Sequence, residues 1–96
     1  MIIFDSESIN IMQDAVKIYG QDAQMQMLVE ECAEVIQAVC KYNRKDKDEE
    51  AEKHLCEEVA DAMIMLTQAQ MMLDEKLIAA IAEKKIERLK TRLSEN

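Results

Sequence analysis

The sequence contains no proline, no tryptophan and one glycine, Gly20. Tight turns between strands draw on glycine and proline, so a fold of short strands is disfavoured and helices are favoured. Aromatic residues are confined to Phe4, Tyr19 and Tyr42, and histidine to His54. A core without aromatic bulk must come from the eight methionines and from Leu, Ile, Val and Ala, a set that suits helix packing on helix. No apolar run approaches the ~20 residues of a membrane span, so no membrane association is expected. Met1 to Phe4 is too short for the apolar stretch of a secretory signal. Cys32, Cys40 and Cys56 form no CxxC pair, and with a single histidine a structural zinc set is not expected. Cys32 and Cys56 fall on apolar helical stripes and are expected to be small buried side chains. Together these features suggest the reducing cytoplasm.

What is present is acid. Asp and Glu total 20 against 12 Lys and Arg, for a formal charge of −8. A broad nucleic-acid surface needs clustered basic charge, so nucleic acid is not the expected partner. The excess suits a protein whose carboxylates meet bound cations, although surface acid also serves solubility. The 96 residues fit a single domain over 1–96. A domain of this size buries little more than ~60% of its unfolded surface and is marginal alone.

Hydrophobic periodicity predicts four helices. The first runs from Ser6 to Tyr19, capped by Asp5 or Ser6, with Ile9, Met12, Val16 and Tyr19 on one face. Gly20 supplies the stop, where a left-handed residue is wanted. The second runs from Gln21 or Asp22 to about Tyr42 on a seam of Leu28, Cys32, Val35 and Val39, widened by Met25, Val29 and Ile36. The charge-dense stretch Lys41 to Glu50 reads as a linker. The third helix starts near Asp48 and reaches Leu73 on a seam of Leu55, Val59, Ala62, Leu66 and Ala69. Met63, Met65 and Met72 add apolar surface on its other sides, which suggests a subunit interface. The fourth runs from Glu75 to Leu93 and turns basic through Lys84, Lys85, Arg88, Lys90 and Arg92. Basic residues near a helix C-terminus also suit the dipole.

The chemistry lies in helices two and three. Each carries two carboxylates three residues apart, Glu31 with Glu34 and Glu58 with Asp61. That spacing sets a pair one turn apart on one face, where like charges repel. Each pair flanks the packing seam. If the two helices pack antiparallel, four carboxylates face one groove, and a divalent cation resolves the repulsion. Hard oxygen ligands suit magnesium, manganese or calcium. A ferritin-like di-iron centre needs Glu-x-x-His pairs, and neither motif supplies the histidine. His54, four residues before Glu58, can approach that site.

The segments LVEECAEVIQAVCKY and EEVADAMIMLTQAQMML resemble the MazG-like all-α nucleoside triphosphate pyrophosphohydrolases, with small phage-type members closest in style. The family mark is Glu-x-x-Glu on one helix and Glu-x-x-Asp on the next, here Glu31-Cys32-Ala33-Glu34 and Glu58-Val59-Ala60-Asp61. The likeness runs from Gln24 to Leu93. It implies a four-helix-type bundle completed by oligomerisation as a homodimer or homotetramer. It implies hydrolysis of a nucleoside triphosphate to monophosphate and pyrophosphate. Glu31, Glu34, Glu58 and Asp61 would hold Mg2+, or Mn2+, and act in catalysis, with Glu31 favoured as the base. The segment KKIERLKTR resembles the family's basic tail, so Lys85, Arg88 and Arg92 would meet phosphates. Lys41, Asn43 and Arg44 are candidates for nucleotide contact. Tyr19 or Tyr42 could stack on the base. Two other readings compete: a non-enzymatic helical module whose Met-rich stripe binds a partner helix, and a calcium- or manganese-binding regulator without turnover.

Overall fold

The computed structural model describes residues 1–96 and contains four helices and no strand: α1 (Ser6–Tyr19), α2 (Gln21–Arg44), α3 (Glu49–Met72) and α4 (Glu75–Ser94). The expected all-α class is what the chain adopts. No helix is long and apolar enough to cross a membrane.

Three helices begin at an aspartate. The Asp5 carboxylate accepts from the Ser8 N–H at 2.8 Å, Asp48 from Ala51 at 2.8 Å and Asp74 from Leu77 at 3.0 Å. Each cap satisfies a backbone donor that the helix itself leaves free. The α2 helix has no side-chain cap and starts directly after Gly20. The Gly20 N–H donates to the Val16 carbonyl at 2.9 Å, and its own carbonyl accepts from Gln24 at 3.1 Å. One residue thus closes α1 and opens α2. It does so at φ 90° and ψ 155°, outside the left-handed helical basin the sequence suggested. It occupies the region of positive φ with extended ψ that only glycine enters freely.

The α2–α3 link is shorter than the charge density implies. Lys41 to Arg44 continue α2, and Glu49 and Glu50 begin α3, leaving residues 45–48 as the connection. Charge explains both extensions. Lys41 and Arg44 lie at a helix C-terminus, and Glu49, Glu50 and Glu52 at a helix N-terminus, each favoured by the dipole. Asp46 and Lys47 take positive φ (53° and 57°), and the Lys47 N–H reaches back to the Tyr42 carbonyl at 2.8 Å.

So short a connection makes α2 and α3 antiparallel neighbours, and they form the principal contact of the fold. The α1 helix leans on both, whereas α4 touches α3 alone. On α2 the inward stripe is Gln24, Leu28, Glu31, Val35, Ala38 and Tyr42; on α3 it is Ala51, Leu55, Glu58, Ala62, Met65, Ala69 and Met72, all buried or half-buried. Both follow the alternating four- and three-residue spacing of a two-helix seam. Both are rotated from the stripes expected: Val39, Val59 and Leu66 are exposed, as is Cys56. The seam turns toward small residues, with Ala38, Ala51, Ala62 and Ala69 all buried, and small residues let helix axes approach. The larger aliphatics are left on an outer face.

The core is thin. Only Met12, Ala38, Ala51, Ala62, Met65 and Ala69 are buried apolar residues, and α4 buries none. The surface is 7676 Å², where a folded monomer of this mass exposes about 5,700 Å². The radius of gyration is 16.1 Å, against about 12.5 Å for a compact chain of this length.

Replacing Gly20 with alanine is expected to lower the unfolding free energy by about 1–3 kcal/mol. A Cβ there would meet nothing within 4 Å, so backbone strain is the whole effect. A reduced urea midpoint with retained helical circular dichroism checks this; an unchanged midpoint contradicts it.

Candidate functional site

Glu31 and Glu58 do not flank the seam; they occupy it. Each stands at a position of the repeating stripe where an apolar residue would pack. Glu34 and Asp61, one turn further along their helices, are exposed at the edge of the seam. Carboxylate oxygens of Glu31, Glu34 and Glu58 lie within 4.8 Å of one another. Asp61 stands outside this tight group but close enough for its charge to act on both Glu31 and Glu58.

The side chain of Glu58 is 15% exposed. The Oε2 atoms of Glu31 and Glu58 are buried and accept no hydrogen bond. A buried carboxylate oxygen without a donor is costly, and most such groups in folded proteins are paired. Two in one layer, with a third carboxylate beside them, concentrate acid at a place where His54 is the one basic group in ion-pair range.

The titration of the group reflects this. Burial pushes the Glu31 carboxyl above its usual range, and the charges of Glu34, Asp61 and Glu58 push it the same way. Glu58 is raised chiefly by Glu34 at hydrogen-bonding reach, because one carboxyl of such a pair must hold a proton. Burial and the charges of Glu34 and Asp61 raise it further, and His54 opposes them. The ring of His54 lies one turn before Glu58, with Nε2 at 3.4 Å from Glu58 Oε1. The approach expected of His54 therefore occurs, through the i to i+4 spacing of a helix face.

The basic candidates divide into two sets. Lys41 is half-buried near the end of α2 and lines a cleft of about 240 Å³ with Glu50, Lys53, His54 and Glu57 of α3. It lies two turns from Glu34, about 10 Å along the helix. Lys53 was not singled out from the sequence. Its signal was its position four residues before Glu57, beside a histidine with the same relation to Glu58. Asn43 and Arg44 are exposed on the last turn of α2. Lys85, Arg88 and Arg92 are exposed along α4, which makes no contact with α2. The single chain therefore does not bring them into its own groove through α2. Tyr19 is exposed, and Tyr42 closes the seam beside Leu55, Val59 and Met63.

The carboxylate group is a set of hard oxygen donors with unpaired, partly buried atoms, and it fits a hard divalent cation such as magnesium or manganese. Thiolate does not complete it, because no cysteine sulfur lies within the group. No family model, curated protein or solved structure matches the chain.

Without divalent ions, the folded state binds protons at Glu31 and Glu58 more tightly than the unfolded chain does. The stability these two groups contribute is therefore fully present below the ordinary carboxyl pKa of about 4.5. It falls as pH rises from there through the elevated folded values. In EDTA, the melting temperature of wild type is expected to fall more steeply across that window than that of Glu58→Gln. Parallel pH profiles for the two proteins would refute the repulsion.

Proposed function

We propose that the chain is a metal-dependent nucleoside triphosphate pyrophosphohydrolase of the MazG-like kind. The observation that carries the reading is the convergence of Glu31, Glu34 and Glu58 within 4.8 Å, with two buried oxygens lacking a partner. Such a group is neutralised by protons or by a cation. The sequence motif that supplies it resembles the paired carboxylate motif of that family.

On this reading Glu31, Glu34 and Glu58 hold magnesium or manganese, and Asp61 completes the set. A divalent ion there would supply charge neutralisation for phosphoryl oxygens and a fixed orientation for substrate. The chain's own groups do the rest. Glu31, the half-buried carboxylate with an unpaired oxygen, accepts the proton of the attacking water. Water adds to phosphorus, the α–β bridging P–O bond breaks, and monophosphate and pyrophosphate separate. Lys41, and Lys53 across the cleft from it, counter the triphosphate charge at the turn end of the groove. The three cysteines are free, which agrees with work in a reducing cytoplasm.

Assembly belongs to the same proposal. The excess of about 2,000 Å² over a compact monomer exceeds the roughly 800 Å² per partner that a standard interface covers. Val59, Leu66, Ile86, Leu89 and Leu93 are exposed aliphatics on α3 and α4. A homodimer or homotetramer would cover them and would bring Lys85, Arg88 and Arg92 of one copy to the acidic groove of another. Leu89→Glu is expected to shift the assembly toward smaller species in sedimentation and to reduce activity per chain. A wild-type monomer fully active in dilute solution would overturn this part.

The reaction itself is tested by pyrophosphate release from a panel of ribo- and deoxyribonucleoside triphosphates, with Mg2+ and with EDTA. Release that needs the metal and drops by about a hundredfold or more in Glu34→Gln is the expected result. No release by a folded, metal-supplemented protein would favour the non-enzymatic helical module. Metal binding without release would favour the regulator.

A further inference from the structure

His54 and Glu58 form the single ion-pair contact of the chain, although 20 acidic side chains and 12 lysines and arginines are present. Nε2 of the ring stands 3.4 Å from Oε1 of the carboxylate, at the i to i+4 spacing of α3. Helical side chains lean toward the N-terminus, so Glu58 folds back over the turn that carries His54. The two oxygens of Glu58 therefore have different surroundings. Oε1 faces the imidazole, whereas Oε2 is buried and has no partner. The ring itself stands outside the tight group formed by the oxygens of Glu31, Glu34 and Glu58. It acts on that group through Glu58.

Glu58 needs such a hold. A long side chain gives up rotamer freedom when it is fixed, and the charges of Glu34 and Asp61 act against this one. Its Oε2 accepts nothing, which leaves the contact with His54 as the one basic restraint the chain supplies. A neutral imidazole has one N–H and one bare nitrogen. The Glu58 oxygen beside Nε2 places the N–H there. Nδ1 is then the bare nitrogen, and it is buried without a partner. At 3.4 Å the pair is slightly longer than a closed hydrogen bond. No competing bond at Nδ1 opposes its closure.

We infer that His54 is a positioning residue for the carboxylate group: its Nε2–H holds Oε1 of Glu58 and so keeps Oε2 in the buried layer it shares with Oε2 of Glu31. The inference rests on the reading, made above, that these carboxylates hold a divalent cation. Without the ring, the repelled carboxylate is free to swing toward solvent and leave the group. Partners that hold a metal-binding side chain from behind commonly fix its orientation, and their loss costs about 10–100-fold in metal affinity.

Mn2+ is the probe, because its binding is read without turnover, as loss of the free-ion signal in electron paramagnetic resonance. The full chain is titrated as wild type, His54→Leu and His54→Gln. His54→Leu is expected to bind Mn2+ about tenfold or more weakly. His54→Gln, whose amide keeps an N–H donor, is expected to stay within about threefold of wild type. Equal affinity of wild type and His54→Leu overturns the inference, and so does a glutamine variant as weak as the leucine one. A second measurement needs no variant. Nitrogen NMR of the neutral wild-type ring in EDTA is expected to show Nε2 protonated and Nδ1 bare, and the opposite tautomer overturns the inference. Pyrophosphate release separates the two readings. The expected affinities with no release from any triphosphate keep His54 in its role and overturn the hydrolase. Release by wild type, with Mn2+ affinity unmoved in His54→Leu, keeps the hydrolase and overturns the role of His54. A folded wild type that binds no Mn2+ overturns both.

Discussion

The mutual repulsion of carboxylates inside a packing seam constrains everything else in this fold. Glu31 and Glu58 take half-buried positions where leucine or methionine would have added to the apolar contact of the α2–α3 pair. In their place stand two partly buried acids with unpaired oxygens and a third acid beside them. The helices tolerate this layer because the layers around it are tight. Val35, Ala38 and Tyr42 of α2, with Ala51, Leu55, Ala62 and Met65 of α3, hold the axes together on both sides of it. A hairpin stapled above and below its acidic layer keeps the carboxylates near one another even though they repel. That is preorganisation: the clustering of the carboxylates is enforced by packing alone.

The same arrangement explains how a chain with so few buried residues can still have a defined site. The seam is long, since α2 and α3 each have 24 residues, and it depends on small side chains. Aspartate caps and the Gly20 junction fix where each helix begins, so the register of the two stripes follows from local chemistry. The rest of the molecule is left open. The outer face of α3 lacks an internal partner, and α4, which buries no residue, has only α3 as one.

Helix number and position were legible in the sequence because aspartate caps, Gly20 and the 3.6-residue period are local signals. The two acidic pairs were legible for the same reason. The seam register was not. Leu28, Cys32, Val35 and Val39 form an acceptable apolar stripe, and so do Gln24, Leu28, Glu31, Val35 and Ala38 once one glutamate and a glutamine are allowed inside. Hydrophobicity favours the first, and close approach through alanines selects the second. The reach of α2 to Arg44 was missed because charge density imitates a loop, whereas those charges complement helix ends. Lys53 was overlooked because its importance comes from facing Lys41 across the hairpin turn, a relation visible only after the register is set.

The placement of α4 links the electrostatics of the site to the exposed apolar surface. A two-residue connection, Leu73 and Asp74, joins α3 to α4, and α4 meets only α3. Its basic turns, with Lys85, Arg88 and Arg92, are the largest concentration of positive charge away from the hairpin turn in a chain of net charge −8. Its apolar residues Leu77, Ile81, Ile86, Leu89 and Leu93 are all exposed. A helix with an unpartnered apolar stripe and a basic face has two needs, burial and negative charge. On another copy, the acidic side of the α2–α3 hairpin would answer the second need, and exposed aliphatics of α3 such as Val59 and Leu66 the first. Under the proposed assembly, docking of α4 would reduce the net repulsion that the seam carboxylates impose and would set cations beside the phosphates of a bound nucleotide. Stability of the assembly and charge balance at the site would then rise and fall together, because one helix serves both.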